Sequence, residues 1–413
     1  MAETQVNNVE GPEWMNKEFF GKILRKSEKD GSIQIQSLNF QRSGREGEHF
    51  GSIMYRVSVN FTRLDFLAEE QTLIVKIFPG GLQKDMLESI GGLFETEIQM
   101  YNNVIPAFEK LLKITGDNTV IGGKCIYSSL TPEKVLVFED LTKLNYKPIT
   151  NWGGNWMIAE KAAEKLAKWH AVSFKMLSEG HSGLHKFSEH LYSGEVFKMI
   201  PLYKDGFQDF LEMMKSHSEF AEYVQNFTRI VARQPLLKTQ KLFKSGFNEL
   251  PANIYVLNHG DFHIKNVMFL ENDMGEIEDL KLVDFQLCVI GPAVIDLIYM
   301  LYMFLDDKDR LERRENMIKF YFNTFLKTLK SLNFTGKLPK MVDLKKDFLL
   351  FKEYELMIAV TMLPLITKLQ GSTFVEPSQL GTNEFRKYLY KNPQYLEYMK
   401  KAMPQFLKMG LLD

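Results

Sequence analysis

The sequence predicts an α+β protein of two lobes, the first rich in strands and the second larger and helical. Two patterns support this class. Residues 53–61 alternate apolar and polar side chains with a period of two, which is typical of a strand. Residues 156–174 and much of 296–413 instead place Phe, Leu and Met three to four positions apart, as amphipathic helices do. The change near residue 141 divides the 413-residue chain into predicted lobes 1–141 and 142–413.

The elements follow from local patterns. In the first lobe we predict helices over 16–26 and 84–103, and strands beginning at 33 and covering 53–61, 73–78, 125–127 and 135–138. The glycine-rich and charged segment 42–51 is predicted to be a loop. In the second lobe a strand-rich segment, 256–289, interrupts the helices.

Composition excludes several classes of protein. The 51 Lys and Arg balance 52 Asp and Glu, which argues against nucleic-acid or membrane-surface binding. Two cysteines cannot build a disulfide framework or a four-ligand zinc site. The polar first residues and the absence of a long apolar run predict a cytoplasmic protein with no membrane span. The 32 Phe and 21 Met indicate either a large helical core or an apolar ligand pocket.

The strand-rich segment carries the residues that predict chemistry. If 267–270 and 280–283 pair as an antiparallel hairpin, Asn266 and Asp284 meet at its open end, and Asp261 lies five residues before Asn266. Carboxylate and amide oxygens suit Mg²⁺. The spacing Asp-x-x-x-x-Asn is that of a kinase catalytic loop. Phosphoryl transfer would use Asp261 as the base and Asn266 and Asp284 as metal ligands. The alternative is a loop whose polar side chains only cap turns.

A second group of candidates lies in the first lobe. Lys76 lies within an apolar strand, where a cation needs a partner. Glu97 on the following predicted helix is the expected partner, and Glu95 is the competing one. The alternative is a lysine on a solvent-facing side of the strand. The backbone N–H groups of the loop 44–52 and the Ser52 hydroxyl could hold phosphate oxygens.

Together these segments resemble a known family. The chain looks like the choline/aminoglycoside phosphotransferase branch of the protein-kinase-like fold, and it is more closely similar to insect ecdysteroid-kinase-like (CHK-like) proteins. The resemblance covers about residues 35 to 310. It is carried by Gly47-Glu48-His49-Phe50-Gly51-Ser52, Tyr55-Arg56-Val57, Lys76, Glu97 with Tyr101 and Pro106, Val137-Phe138-Glu139-Asp140-Leu141, Leu166 to Ser173, His259 to Phe269, Val283-Asp284-Phe285-Gln286, and Pro292 with Asp296-Leu297.

The resemblance implies ATP and Mg²⁺ as cofactors and assigns roles to matching positions. Asp261 would be the base, and Asn266 and Asp284 would bind the metal. Lys76 would contact the α- and β-phosphates, held by Glu97, and the loop containing Gly47, Gly51 and Ser52 would cover the phosphates. Glu139, Asp140 and Leu141 would form the hinge that pairs with adenine.

Four more residues are expected to act indirectly or not at all. His259 and Asp296 would support the catalytic loop. We predict that His170 serves helix packing, and that His263 lies on a solvent-exposed loop, although it could face the substrate.

Three functions compete. A protein kinase is disfavoured because only seven residues separate Asp284 from Pro292, too few for an activation segment. A non-catalytic nucleotide- or ligand-binding protein is disfavoured because Lys76, Asp261, Asn266 and Asp284 are all present. The favoured function is a small-molecule kinase acting on a lipophilic alcohol, an ecdysteroid first, with a choline- or ethanolamine-type kinase as the alternative.

Overall fold

The computed structural model describes residues 9–43, 52–64, 67–79, 92–188, 191–194, 197, 199–245, 251–370, 379 and 381–413. They divide into two compact units. One comprises Met1–Asn103 and Gly122–Lys147, and the other comprises Val104–Ile121 and Pro148–Asp413. The lobe boundary at residue 141 stays a sequence-based prediction.

In its described residues, the first unit is built on an antiparallel sheet accompanied by helices. Its strands are β1 (Gln34–Arg42), β2 (Ile53–Thr62), β3 (Ala68–Ile77), β4 (Cys125–Ser129) and β5 (Val135–Glu139), in the order β1-β2-β3-β5-β4. Its helices are α1 (Lys17–Glu28) and α2 (Leu93–Gln99). Helix α1 begins where the Asn16 side chain accepts a hydrogen bond from the Phe19 N–H, as a helix N-cap does. The predicted helix 84–103 is described only from residue 92.

The two faces of this sheet have different environments. On one face, alternate residues of β2 are buried against α1, with Val57 and Val59 packing in the same cluster as Phe20 and Leu24. Lys76 points to the other face, because it pairs across the strands with Met54 on β2 and Leu136 on β5. The period of two therefore separates the core face from the face that carries the lysine.

The second unit is mainly helical. Its helices are α3 (Ile105–Ile114), α4 (Trp156–Ser178), α5 (Pro201–Lys215), α6 (Ala221–Ala232), α7 (Pro235–Lys244), α8 (Val294–Met303), α9 (Asp307–Glu312), α10 (Arg314–Ser331), α11 (Met341–Leu350), α12 (Lys352–Met357), α13 (Leu363–Gln370), α14 (Asn383–Leu389) and α15 (Pro393–Lys408). The remaining strands are β6 (Lys147–Pro148), β7 (Tyr255–Asn258), β8 (Val267–Glu271), β9 (Ile277–Leu282) and β10 (Val289–Pro292).

The core of the second unit takes up much of the aromatic content. Every residue of α8 is buried, including Asp296 and Tyr302, and large side chains elsewhere in this unit, such as Tyr354 and Phe210, are almost fully buried as well. The predicted α+β class is confirmed, with strands first and helices after them. Within the described ranges, none of the helices is long and apolar enough to cross a membrane.

Candidate active site

The predicted hairpin is present and forms the base of the site. Strands β8 and β9 are antiparallel, with Val267 opposite Leu282. One residue beyond that pair, the Val283 N–H donates to the Asn266 carbonyl oxygen at 3.0 Å. This bond closes the end of the hairpin at which Asn266 and Asp284 lie, as the spacing of the two strands predicts.

The Asn266 side chain is oriented by Asp261. Asn266 ends a short 3₁₀ turn, Ile264–Asn266, and is buried. Its Nδ2 group donates to the Asp261 carbonyl oxygen at 2.9 Å and to Asp261 Oδ2 at 3.1 Å. Because both donors point to Asp261, the amide oxygen of Asn266 is the atom that it offers to a cation.

Asp284 has a backbone conformation that is uncommon for a residue other than glycine. Its φ of 66° and ψ of 64° lie in the left-handed region. Gln286 Nε2 donates to Asp284 Oδ2 at 3.3 Å, and in the described part of the chain the buried Gln286 Oε1 has no hydrogen-bond partner. Amide and carboxylate oxygens of this kind fit a hard divalent cation.

The described residues supply few possible metal ligands. Among the described residues, no group of three or more His, Cys, Asp or Glu side chains could hold a metal ion. This agrees with the way Mg²⁺ is commonly bound, through one or two protein oxygens and the phosphates of a nucleotide.

Asp261 forms a loose ion pair with His263. Asp261 Oδ2 lies 3.4 Å from His263 Nε2, and the side chains are 24% and 15% exposed. Burial by itself raises the pKa of Asp261, but the charge and hydrogen bond of His263, with His259 and Asn266, outweigh burial and lower it to about 2. Burial also opposes charging of His263, but Asp261 and Asp284 raise its pKa overall. The prediction that His263 is a solvent-exposed loop residue is therefore wrong.

Asp296 on α8 accepts hydrogen bonds from the backbone of the loop that carries Asp261. Asp296 Oδ2 accepts from the His259 N–H at 2.5 Å, and Oδ1 accepts from the Gly260 N–H at 2.9 Å. The His170 ring joins this network, with Nε2 at 3.3 Å from Asp296 Oδ2 and Nδ1 at 2.7 Å from the Tyr321 hydroxyl. His170 is thus fully buried between helices, as predicted, and its ring also bonds to side chains on two of them. Burial lowers its pKa despite Asp296.

Gly260 meets a steric requirement of the same loop. Its φ is 82°, and a Cβ atom there would lie 2.0 Å from the Leu287 carbonyl oxygen. Because that oxygen belongs to the backbone, no side-chain movement could relieve the contact. A glycine before Asp261 therefore lets the loop pass close to the turn that follows Asp284.

In the first unit, Lys76 pairs with Glu97 as predicted. Lys76 Nζ lies 2.6 Å from Glu97 Oε2, and the side chains are only 5% and 1% exposed. The competing residue, Glu95, instead pairs with Lys134 at 2.9 Å. The strand lysine is thus held by a helix glutamate, in the arrangement that kinases use at the phosphates.

Comparison with known proteins decides the family. The model of the ecdysteroid kinase-like family matches residues 46–334, which is well over half of the chain. The chain belongs to the ecdysteroid kinase-like family. This membership confirms the predicted resemblance and supports the class of small-molecule kinase.

Two further comparisons add little. No curated protein sequence matches the chain. Among solved structures, it is similar to the amicoumacin kinase hAmiN in complex with AMP-PNP, Ca²⁺ and Ami, at 14% identity and a TM-score of 0.38, over 92% of this chain and 97% of that one. That likeness is too low to support a functional conclusion.

Hydrogen bonds and an ion pair stabilise the segment 139–141, which is predicted to be the hinge of this kinase-like protein. Asp140 Oδ2 lies 2.9 Å from Arg56 Nε on β2, and Asp140 Oδ1 accepts from the Thr142 N–H at 3.0 Å. The carbonyl oxygen of Leu141 accepts from the Tyr146 N–H at 3.1 Å. The Asp140 side chain therefore stabilises the segment. Any contact of this segment with an adenine ring would be made by backbone groups of 139–141.

Three residues belong to the loop that is predicted to cover the phosphates. Gly47 and Gly51 lie outside the described residues, and Ser52, just before β2, is half-buried. Their role stays a prediction.

Sequence reasoning missed two aromatic residues of this kinase-like protein. The Tyr299 ring on α8 lies 6.2 Å from the His263 ring, centroid to centroid. The Trp152 ring lies 5.3 Å from the His263 ring, centroid to centroid. Neither residue belongs to a motif with fixed spacing, and the one available signal was the general excess of aromatic residues.

Proposed function

We propose that this protein is an ATP-dependent kinase that transfers the γ-phosphate to a hydroxyl group of a lipophilic alcohol, most specifically an ecdysteroid. The observation that carries the proposal is the position of Asn266. Its side chain donates to the side chain and backbone of Asp261, and its backbone bonds to Val283, the neighbour of Asp284. One short loop and one hairpin end thereby join the proposed base to both proposed metal ligands.

In the reaction we infer, the acceptor oxygen forms a bond to the γ-phosphorus while the bond from that phosphorus to the β–γ bridging oxygen breaks. ADP leaves, and the acceptor proton passes to the Asp261 carboxylate. A carboxylate with a pKa of about 2 is a weak base, which suits late proton transfer in a loose transition state. Catalysis then depends mainly on how Asp261 orients the hydroxyl.

The remaining residues bind the nucleotide. Asn266 and Asp284 would hold Mg²⁺, which neutralises phosphate charge when bound. Lys76, oriented by Glu97, contacts the α- and β-phosphates, and the loop with Gly47, Gly51 and Ser52 covers them. The backbone of 139–141 pairs with adenine. Family membership and the buried Lys76–Glu97 pair support this assignment.

Two observations favour one class of acceptor. Ecdysteroid alcohols come first because of the family match and the Trp152 and Tyr299 rings around His263, which pairs with Asp261. Choline or ethanolamine is the alternative acceptor.

The test is turnover of Mg·ATP with a panel of ecdysteroids, choline and aminoglycosides. We expect an ecdysteroid phosphate, and a kcat reduced about 10² to 10⁴-fold in Asp261→Asn. Asp284→Ala should abolish metal-dependent binding of a non-hydrolysable ATP analogue. The matched control is Asp273→Asn, on the exposed turn of the β8–β9 hairpin, which should behave as wild type. Wild-type turnover in Asp261→Asn would refute the proposed base.

A further inference from the structure

The sheet of the first unit exposes apolar surface on the face that carries Lys76. Ile74 lies two residues before Lys76 on β3, and it pairs with Arg56 on β2 and with Phe138 on β5. Side chains alternate between the two faces of a sheet, so these three point to the same side as Lys76. All three are half-buried, whereas Val75 is fully buried on the core face.

The Arg56 side chain extends across this face toward the predicted hinge. Its Nε atom lies 2.9 Å from Asp140 Oδ2, and its Nη2 group donates to the Thr142 hydroxyl at 3.4 Å. Both partners follow β5, and β3 lies between β5 and β2, the strand from which Arg56 starts. Neighbouring strands are about 4.8 Å apart, so the side chain passes β3 to reach them. The guanidinium group thus lies between Ile74 and the segment 139–141.

Asp140 fixes the orientation of this guanidinium group. The Asp140 side chain is only 2% exposed, and its Oδ1 accepts from the Thr142 N–H at 3.0 Å and from the Thr142 hydroxyl at 2.7 Å. Arg56 contacts both residues with the edge of its planar group, through Nε and Nη2. The flat faces of the group are left for packing, and the side chain remains 36% exposed. A guanidinium group held by its edge in this way is suited to stack on an aromatic ring.

The proposed contacts of the nucleotide bring its base to the same place. Lys76 would hold the α- and β-phosphates, and the backbone of 139–141 would pair with the edge of the base. Ile74 lies between these two groups, about 7 Å along β3 from Lys76 and paired with the residue that precedes 139. A nucleotide that reaches both groups therefore passes its base over Ile74 and beside the Arg56 side chain.

We propose that Arg56 binds the nucleotide base, with its guanidinium group stacked on the purine ring and oriented by Asp140. This inference rests on the proposed function, because it assumes that Lys76 binds the phosphates. The face of a purine ring attracts a planar cation, and the guanidinium group is more weakly hydrated than an ammonium group, so it loses less on leaving water. Asp140 is a positioning residue, since it acts on the ring through Arg56.

The test compares two probes in calorimetry on the full chain with Mg²⁺. One is AMP-PNP, and the other is inorganic tripolyphosphate, which has the three phosphorus centres of the nucleotide but no base. Arg56→Ala should weaken the binding of AMP-PNP about tenfold and leave that of tripolyphosphate unchanged. An equal loss for the two probes, or no loss for AMP-PNP, overturns the proposal.

A second variant, Arg56→Lys, separates stacking from charge. A lysine keeps a positive charge for Asp140 but has no planar group to stack. We therefore expect the affinity for AMP-PNP to stay about fivefold below that of wild type. Full recovery of the affinity in Arg56→Lys overturns the stacking.

The matched control is Arg63→Ala. Arg63 follows the other end of β2, and its guanidinium group pairs with Asp30 at 2.9 Å and with Glu69 at 2.6 Å. The binding of both probes should equal that of wild type. A loss of AMP-PNP affinity as large as that in Arg56→Ala would show that the effect is not specific to the base, and would overturn the proposal.

The two proposals fail separately. Lys76→Ala should weaken the binding of both probes if Lys76 holds the phosphates. Wild-type affinities in Lys76→Ala would refute the proposed phosphate contact, whereas an effect of Arg56→Ala that does not depend on the base refutes only the stacking.

Discussion

Two ion pairs, one in each unit, differ in almost every respect. Lys76 and Glu97 are 2.6 Å apart and almost wholly buried, whereas Asp261 and His263 are 3.4 Å apart and remain partly exposed. In the first pair each charge has given up water and depends on its partner. In the second, the Asp261 carboxylate keeps an accessible side. The difference teaches that the first pair fixes the position of a cation, whereas the second leaves a carboxylate accessible from solvent, as the proposed base must be.

The largest effect is expected from breaking the buried pair. Glu97→Ala leaves the Lys76 charge buried without its partner, so the free energy of unfolding should fall by about 3–5 kcal/mol in urea denaturation. The matched control is Glu95→Ala, which breaks the exposed pair with Lys134 and should cost less than about 1 kcal/mol. Equal losses in the two variants would mean that burial does not distinguish the two glutamates.

A smaller effect is expected from the loop that presents Asp261. Gly260→Ala introduces a Cβ against the Leu287 carbonyl oxygen at a positive φ, and should lower the free energy of unfolding by about 2 kcal/mol. Gly183→Ala is the control, since a Cβ there meets nothing within 4 Å, and it should stay within about 0.5 kcal/mol of wild type. Thermal or urea unfolding measures both. A neutral Gly260→Ala would show that this loop is less constrained than its backbone contacts indicate.

The hydrogen bonds that join Asp296, His170 and Tyr321 should contribute still less to the free energy of unfolding. Tyr321→Phe removes the hydroxyl that lies 2.7 Å from His170 Nδ1 and leaves a buried ring nitrogen without that partner. We expect a loss of about 1 kcal/mol in urea denaturation. Tyr388→Phe, at a half-exposed tyrosine, should have no measurable effect. If Tyr321→Phe leaves the free energy of unfolding unchanged, the bond to His170 adds nothing to stability, and His170 has only the packing role that the sequence predicts.

The smallest effect is expected from the pH dependence of the Asp261–His263 ion pair. The pKa of His263 is raised above its ordinary 6.5 on folding. The pair therefore contributes its full stabilisation below pH 6.5 and loses it as the pH rises through the folded-state pKa. The stability difference between wild type and His263→Gln should shrink from pH 5.5 to pH 8.5, measured by urea denaturation. A difference that grows with pH would contradict the direction of the shift.

Local patterns predicted much of the fold. The alternation in 53–61 corresponds to β2, and the predicted pairing of 267–270 with 280–283 is the β8–β9 hairpin. These elements depend on side-chain period and on turn residues close in the chain, so a single sequence contains the information. The predicted partner of Lys76, Glu97, is also the observed one, whereas Glu95 pairs with Lys134.

Longer-range contacts were harder to predict. His170 and Tyr321 are far apart in sequence, and only the packing of α4 against α10 shows that their side chains meet. His263 was expected in solvent because its neighbours in sequence are loop residues, whereas its partners Asp261, Trp152 and Tyr299 come from three different segments. Such contacts carry no periodic signal.

The sequence by itself determined the hairpin that places Asn266 beside Asp284, because strand pairing and the turn between the strands are local and leave one open end. The tertiary structure decided what surrounds Asp261. Buried helix α8 brings Asp296 to the backbone of the loop that carries Asp261 and Tyr299 to the His263 ring, about one turn apart on the same helix. Which side chains share a buried space depends on how whole helices pack, and packing is set by many weak contacts distributed along the chain.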